Sequence, residues 1–188
     1  MNFLEFYNSV LNISITSYED IPFSVEKHQY AKGETITKYS QIENRIYFIV
    51  SGIAEMTIKS YMTEKVIDFF FENELVCGYT SFLNQEPTDI QIKALTNIHV
   101  EAIKHEDMLN AYKFSLDANK FGRITTEQGY IRKSNREKNL LTKTAEERYI
   151  EMFQLRSQYI SQIPVNKIAK YLGIHPESLS RIRKKINS

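Results

Sequence analysis

Residues 165–188 constrain the fold more than any other stretch of this chain. They read VNKIAKYLGIHPESLSRIRKKINS. Ile168, Ala169 and Leu172 share one face of a first helix. Gly173 ends that helix, because glycine accepts the positive φ that a tight turn requires. Pro176 suits the first turn of a second helix, where a missing N–H costs nothing. Leu179, Ile182 and Ile186 then form an apolar stripe at spacings of three and four. Two short helices therefore cross at the small Ala169 around a glycine turn. That is the layout of a helix-turn-helix, whose second helix enters the DNA major groove. The polar face carries Glu177, Ser178, Ser180, Arg181, Lys184 and Lys185, residue types that read base edges and phosphates. Lys167 on the first helix joins this candidate DNA-binding set. A mere pair of amphipathic helices with a solvated basic face needs none of this register. Here the crossing residue, the turn glycine and the apolar positions all agree.

The 188 residues allow one large or two small domains, and 42% hydrophobic with 12% aromatic residues support a real core. No run of about 18 apolar residues exists, so no membrane span is expected. The opening MNFLEFYNSVLN lacks a basic cluster and reads as an amphipathic helix, not a secretory signal. Its apolar side holds Phe3, Leu4, Phe6, Tyr7, Val10 and Leu11. The single cysteine, Cys77, excludes a disulfide scaffold or a cysteine-ligated iron–sulfur cluster within one chain. A cytoplasmic location is expected. Charge is divided unevenly. Residues 1–131 hold 11 Lys+Arg against 18 Asp+Glu, whereas residues 132–188 hold 13 against 5. An acidic body with a basic tail suggests that only the tail meets a polyanion.

Residues 25–104 read as short strands. VEKHQYA, a Lys32-Gly33 turn and ETIT come first. RIYFIVS and IAEMTIKSY flank Gly52 as an expected hairpin-like pair, and KVIDFFF, TDIQIKAL and IHVEAIK follow. Ile90, Ile92 and Ala94 alternate with Asp89, Gln91 and Lys93 at period two. Short antiparallel strands at this spacing point to a jelly roll or small barrel. Tyr79–Leu83 reads as a helical turn between strands. From His105 the period becomes helical, with a short helix near Glu106–Tyr112 and a long one near Leu116–Leu141. A seam of Phe121, Ile124, Gln128, Ile131, Asn135 and Lys138 has the spacing for helix pairing. Gly122 and Gly129 lie beside it and would admit a close partner helix. The bland alternative is a single helix packed on its own domain. Thr144 with Glu147 forms a capping box for another helix, TAEERYIEMFQLR. The expected fold is α+β: an antiparallel β-roll at 1–115, a dimerisation helix at 116–141 and a helix-turn-helix domain at 142–188.

This order of parts resembles the Crp/Fnr family of bacterial transcription regulators. The carrying motifs are KGE at Lys32–Glu34, YFIVSG at Tyr47–Gly52, GYTSFL at Gly78–Leu83, AEERY at Ala145–Tyr149 and LGIHPESLSRIRKKI at Leu172–Ile186. The resemblance implies a ligand cassette at Val76–Asp89, with a degenerate pocket of Cys77, Gly78, Tyr79, Thr80, Ser81, Thr88 and Asp89. Family members that bind cyclic nucleotides place Gly-Glu and Arg-Ser or Arg-Thr pairs there, for ribose and phosphate. The matching positions here are Cys77-Gly78 and Thr88-Asp89, so both the ribose acid and the phosphate arginine are missing. The family's base-reading positions fall on Pro176, Glu177 and Arg181, and Pro176 stands where an arginine is often found and cannot supply that residue's contact. With the sequence stopping at Ser188, no β-hairpin wing is expected.

The expectation is therefore a homodimeric, cytoplasmic regulator, not an enzyme, that binds double-stranded DNA, needs no cofactor or metal and does not respond to cyclic AMP. RNA polymerase is a further candidate partner, and the β-roll either senses an unidentified small-molecule effector or serves structure alone. A haem sensor would have to draw on His28, His99 or His105, and scattered histidines are more often structural. A cupin-like metalloenzyme shares the β-roll but needs clustered ligands, and this chain has four histidines and no His-x-His. An interaction adaptor without DNA binding sits poorly with the basic tail.

Overall fold

The computed structural model describes residues 1–61 and 63–186, so the expected stop at Ser188 lies outside the described residues. Among the described residues, eight strands form two four-stranded antiparallel sheets. The first has the order β1 (Glu26–Tyr30), β8 (Ile98–Lys104), β3 (Arg45–Ser51), β6 (Leu75–Val76). The second has the order β2 (Thr35–Thr37), β7 (Ile90–Ala94), β4 (Ala54–Ser60), β5 (Thr63–Phe70). Their inner faces bury Ile49, Ile92, Ile98, Val100 and Ala102, as the period-two pattern requires. The expected hairpin around Gly52 does not form. β3 pairs with β8 and β6, while β4 pairs with β5 and β7. Gly52 (φ +98°) carries the chain from one sheet to the other, and a Cβ there would lie 2.5 Å from the Asn97 carbonyl. A glycine between two apolar runs marks a bend. It does not say whether the runs stay in one sheet.

A second core lies outside the roll. Helix α1 (Phe3–Leu11) starts at an Asn2–Glu5 capping box and buries Phe3, Tyr7 and Leu11. Phe6 stacks on Phe48 at 4.7 Å, and Phe3 meets Phe121 edge-on at 5.6 Å. After the short α2 (Tyr79–Asn84) and α3 (His105–Phe114), the long α4 (Leu116–Thr142) closes this cluster with Ala118, Phe121 and Gly122. Two expectations change here. Phe121 is only 2% exposed, so it belongs to its own chain's core and leaves the proposed dimer seam. Gly122 makes room for Tyr112, whose hydroxyl would sit 2.0 Å from an added Cβ, and not for a partner helix. Ile124 packs partly against the same cluster, while Gln128, Ile131, Asn135 and Lys138 stay exposed.

Helix α5 (Ala145–Ile160) begins at the Thr144–Glu147 capping box and leaves helical geometry at Arg156 (φ −137°). Helices α6 (Val165–Leu172) and α7 (Pro176–Ile186) follow. This unit docks on the roll through a third core. Val66, Phe69 and Phe71 of the roll meet Ile160, Ile163, Ile168 and Leu172 there. Phe71 stacks on Tyr159 at 4.8 Å. Arg132 of α4 ties the second sheet to the long helix, with Nε 3.0 Å from Asp68 and a terminal nitrogen 2.9 Å from Glu74. Burial pulls its guanidinium pKa down, but the two carboxylates outweigh that and hold it above the usual arginine range.

Candidate nucleic-acid interface and sensor pocket

The turn between α6 and α7 is built as its residues dictate. Gly173 has φ +71°, with open space where a Cβ would stand, so backbone conformation alone calls for glycine. Its N–H donates to the Lys170 carbonyl, and the Ile174 N–H donates to that of Ala169, which closes the end of α6. Ile168, Ala169, Leu172 and Leu179 are fully buried and lock the crossing of the two helices. α7 has eleven residues, a length of about 16 Å at 1.5 Å per residue. Such a helix fits a major groove about 12 Å wide.

The outer side of α7 presents Glu177, Ser178, Ser180, Arg181, Lys184 and Lys185, all exposed. Ser180 donates its hydroxyl to the Pro176 carbonyl at 3.1 Å, within its own helix. Lys185 pairs with Glu146 at 2.7 Å, on the first turn of α5. Glu177 and Arg181, one turn apart, form no ion pair with each other. Arg183, which the sequence reading passed over, turns inward: its Nε donates to the Tyr149 hydroxyl at 3.1 Å. Lys167 is placed differently from expectation. Its ammonium lies 2.6 Å from Glu55 of β4, a carboxylate with a side chain only 2% exposed. A buried carboxylate needs a cation, and Lys167 supplies it. In this arrangement Lys167 belongs to the contact with the roll and not to the outward basic face.

The sensor cassette runs from β6 through Cys77-Gly78 and α2 to Thr88. Its cleft measures about 50 Å³ and is lined by Gly78, Thr80, Ser81, Thr88 and Asp89 together with Glu86, Pro87 and Ile90. Two expected residues do not line it. Cys77 packs against the cluster of Phe3, Phe48 and Phe121, where burial pushes its thiol pKa well up. Tyr79 turns outward and shares a hydrogen bond with Thr126 of α4 at 2.8 Å.

The polar groups of this region satisfy one another. The Glu43 N–H donates to Ser81 Oγ at 3.0 Å, and Ser81 donates onward to the Glu86 carbonyl. Thr88 Oγ1 accepts from the Ile90 N–H, and the Thr88 carbonyl accepts from Ser40. Glu43 itself is 3% exposed and accepts from Thr37 Oγ1 and from the Arg45 N–H. Burial raises its carboxyl pKa above the ordinary range, against the pull of those hydrogen bonds. Sequence reasoning missed Glu43, because nothing in the pattern Gln41–Arg45 separates a buried acid from a loop acid.

Residues 27–113 match the family described as the cyclic nucleotide-binding domain. No curated protein matches the chain. Among solved structures, FixK2 from Bradyrhizobium japonicum is similar with a TM-score of 0.72 and 18% identity, over 87% of this chain and 85% of that one. CLP of Xanthomonas campestris, a c-di-GMP responsive global regulator, gives 0.68 and 16%, over 87% and 86%. A mutant of CooA from Carboxydothermus hydrogenoformans gives 0.68 and 15%, over 100% and 84%. At such identities the likeness is one of fold. A β-roll whose core matches the cyclic nucleotide-binding domain, a long helix and a terminal helix-turn-helix together give this chain a Crp/Fnr-like fold.

Proposed function

We infer that this protein is a homodimeric transcriptional regulator that binds double-stranded DNA through α7. The observation that carries this reading is the outward face of α7, with Arg181, Lys184 and Lys185 exposed on a helix anchored by the fully buried Leu179. A rigid helix holding guanidinium and ammonium groups toward solvent is suited to base edges and phosphates. Glu177 accepts from a cytosine amino group, and Arg181 makes the bidentate guanine contact. The charge split between body and tail favours binding at this end alone.

Pairing runs along the second half of α4, beyond the part packed on α1. Ile131 is 58% exposed there and Tyr130 and Leu141 more so. Gln128, Asn135 and Lys138 flank them, and Gly129 has open space beside it. Cyclic AMP is not the effector in this reading. A cleft of about 50 Å³ falls well short of the roughly 300–1,000 Å³ usual for small-molecule sites. Asp89 at its rim also opposes an anion.

The test is selection of bound fragments from random genomic DNA at physiological salt, with sedimentation of the protein alone and on the selected DNA. Enriched inverted repeats and a dimer on DNA are expected. Sedimentation as a monomer in both states rules out the α4 pairing, and a lack of enriched sequence rules out a specific regulator. Titration of the full chain with cyclic AMP should give no heat at micromolar concentration.

A further inference from the structure

A depression larger than the cassette's cleft lies elsewhere in the described residues. It lies between β5, the second half of α4, α5 and α6, and measures about 310 Å³, the lower end of the usual range for small-molecule sites. Four arginines line it: Arg132, Arg136, Arg148 and Arg156. The acids nearby are already engaged. Asp68 binds Arg132, Glu74 binds Arg132 and Arg156, and Glu151 binds Lys143 at 2.8 Å and Asn139 at 3.1 Å. Arg136 and Arg148 therefore have no carboxylate partner among the described residues. Each also holds a buried Nε with no hydrogen-bond partner among the described residues. Arg148 donates from a terminal nitrogen to the Leu172 carbonyl at 2.9 Å, and the Arg136 guanidinium lies 5.1 Å from the Tyr171 ring centre. Unmet guanidinium donors held away from water are costly unless an acceptor joins them.

The same cleft offers apolar surface. Phe69 and Tyr171 form part of its wall, and Leu155 lies at its rim with 71% exposure. A guanidinium pair beside aromatic faces suits a flat organic anion, its acidic oxygens on the arginines and its body against the rings.

We propose that this interdomain cleft is a binding site for a small organic anion, a carboxylate or phosphate on a flat apolar body, held by Arg136 and Arg148. Because its walls come from the roll, the long helix and the helix-turn-helix unit, a bound anion joins all three.

Calorimetric titration of the full chain at physiological salt tests it. The probes are benzoate and phenyl phosphate, with benzyl alcohol as the neutral analogue and inorganic phosphate as the analogue without a ring. One equivalent of benzoate or phenyl phosphate per chain is expected, with the preferred one identifying the acid group. Benzyl alcohol and inorganic phosphate should bind about tenfold or more weakly, the worth of one charge-assisted hydrogen bond. Arg136→Gln and Arg148→Gln should each weaken the preferred probe by about tenfold. Leu155→Trp fills the mouth from an exposed position that folding does not need, and it should block binding even if an arginine variant fails to fold. Equal binding of benzyl alcohol, undiminished binding by Leu155→Trp, or no binding of either acid overturns the proposal.

Discussion

The cassette around α2 and helix α7 both carry clustered polar residues, yet they direct them oppositely. In the cassette, Ser81, Thr88 and Glu43 face inward and bond to one another or to backbone. On α7, the polar groups face outward from a helix whose single fully buried anchor is Leu179. A polar cluster that satisfies itself is structural, because a ligand must first displace bonds that already exist. An exposed donor such as the Arg181 guanidinium exchanges solvent for a partner at smaller cost, although Ser180 and Lys185 on the same helix already hold partners within the chain. The presence of polar side chains at a family's ligand position therefore says little until their hydrogen bonds are traced.

The contrast breaks most visibly at the anchor. Leu179→Ala removes a fully buried side chain at the helix crossing and should destabilise the chain by about 2–5 kcal/mol. Chemical denaturation followed by circular dichroism measures this. A loss under about 1 kcal/mol would mean that α7 is not held by this contact.

Next in size comes the outward face. Arg181→Ala should flatten the preference for operator over scrambled DNA, a loss of about 1–3 kcal/mol in discrimination. Lys184→Ala should weaken both DNAs alike and lower the salt slope by about one unit. Binding curves over a salt series separate the two. An unchanged operator-to-scrambled ratio for Arg181→Ala would remove α7 as the base reader.

A smaller effect, on the inward side, is expected at Glu43. Its raised pKa means that the folded state holds the proton more tightly than the unfolded chain. The stability linked to that proton is present below the ordinary carboxylate range and is lost as pH rises through the folded value. Glu26 has the opposite sign: Lys104, then Arg45, lower it from 4.5 to about 2, so its contribution is lost as pH falls through that window. Glu43→Gln keeps the shape and cannot ionise. Relative to the unaltered protein it should gain stability as pH rises above the ordinary carboxylate range. Thermal midpoints across that rise provide the check, and a relative loss of stability on raising the pH would show that the charged form of Glu43 is favoured.

Parts of this architecture were legible because the signal is local. The α6–α7 turn follows from Gly173, Pro176 and the spacing of Ile168, Leu172 and Leu179, and the start of α5 follows from Thr144 and Glu147. What failed depends on contacts distant in sequence. Phe121 has a seam's spacing, but Phe3 and Phe6 take it into their own cluster. Gly52 reads as a hairpin turn, whereas the partner of β3 lies some fifty residues on, in β8. Lys167 reads as one more cation of the basic tail until Glu55, 112 residues earlier, is found beside it. The cassette was located by resemblance, but its internal hydrogen bonds run through Glu43, which no motif marks.

The finest test of the contrast is a residue on the outward face that behaves as if it faced inward. Ser180 belongs to the exposed set, and on residue type alone it is a candidate for a phosphate or base contact. Its hydroxyl proton, however, already goes to the Pro176 carbonyl one turn back. This back-bonding within a helix is satisfied without DNA and slightly disfavours the helix it sits in. Alanine loses that bond but gains helix propensity, by about 0.5 kcal/mol. The two changes offset each other, so Ser180→Ala should alter operator affinity by less than about twofold, under about 0.5 kcal/mol. Ser178→Ala, measured in parallel on the same DNA, supplies the comparison, since Ser178 has no such bond within the helix. A loss of tenfold or more for Ser180→Ala alone would mean that the hydroxyl leaves Pro176 when DNA arrives, and that internal bonding in the free chain does not mark a group as unavailable.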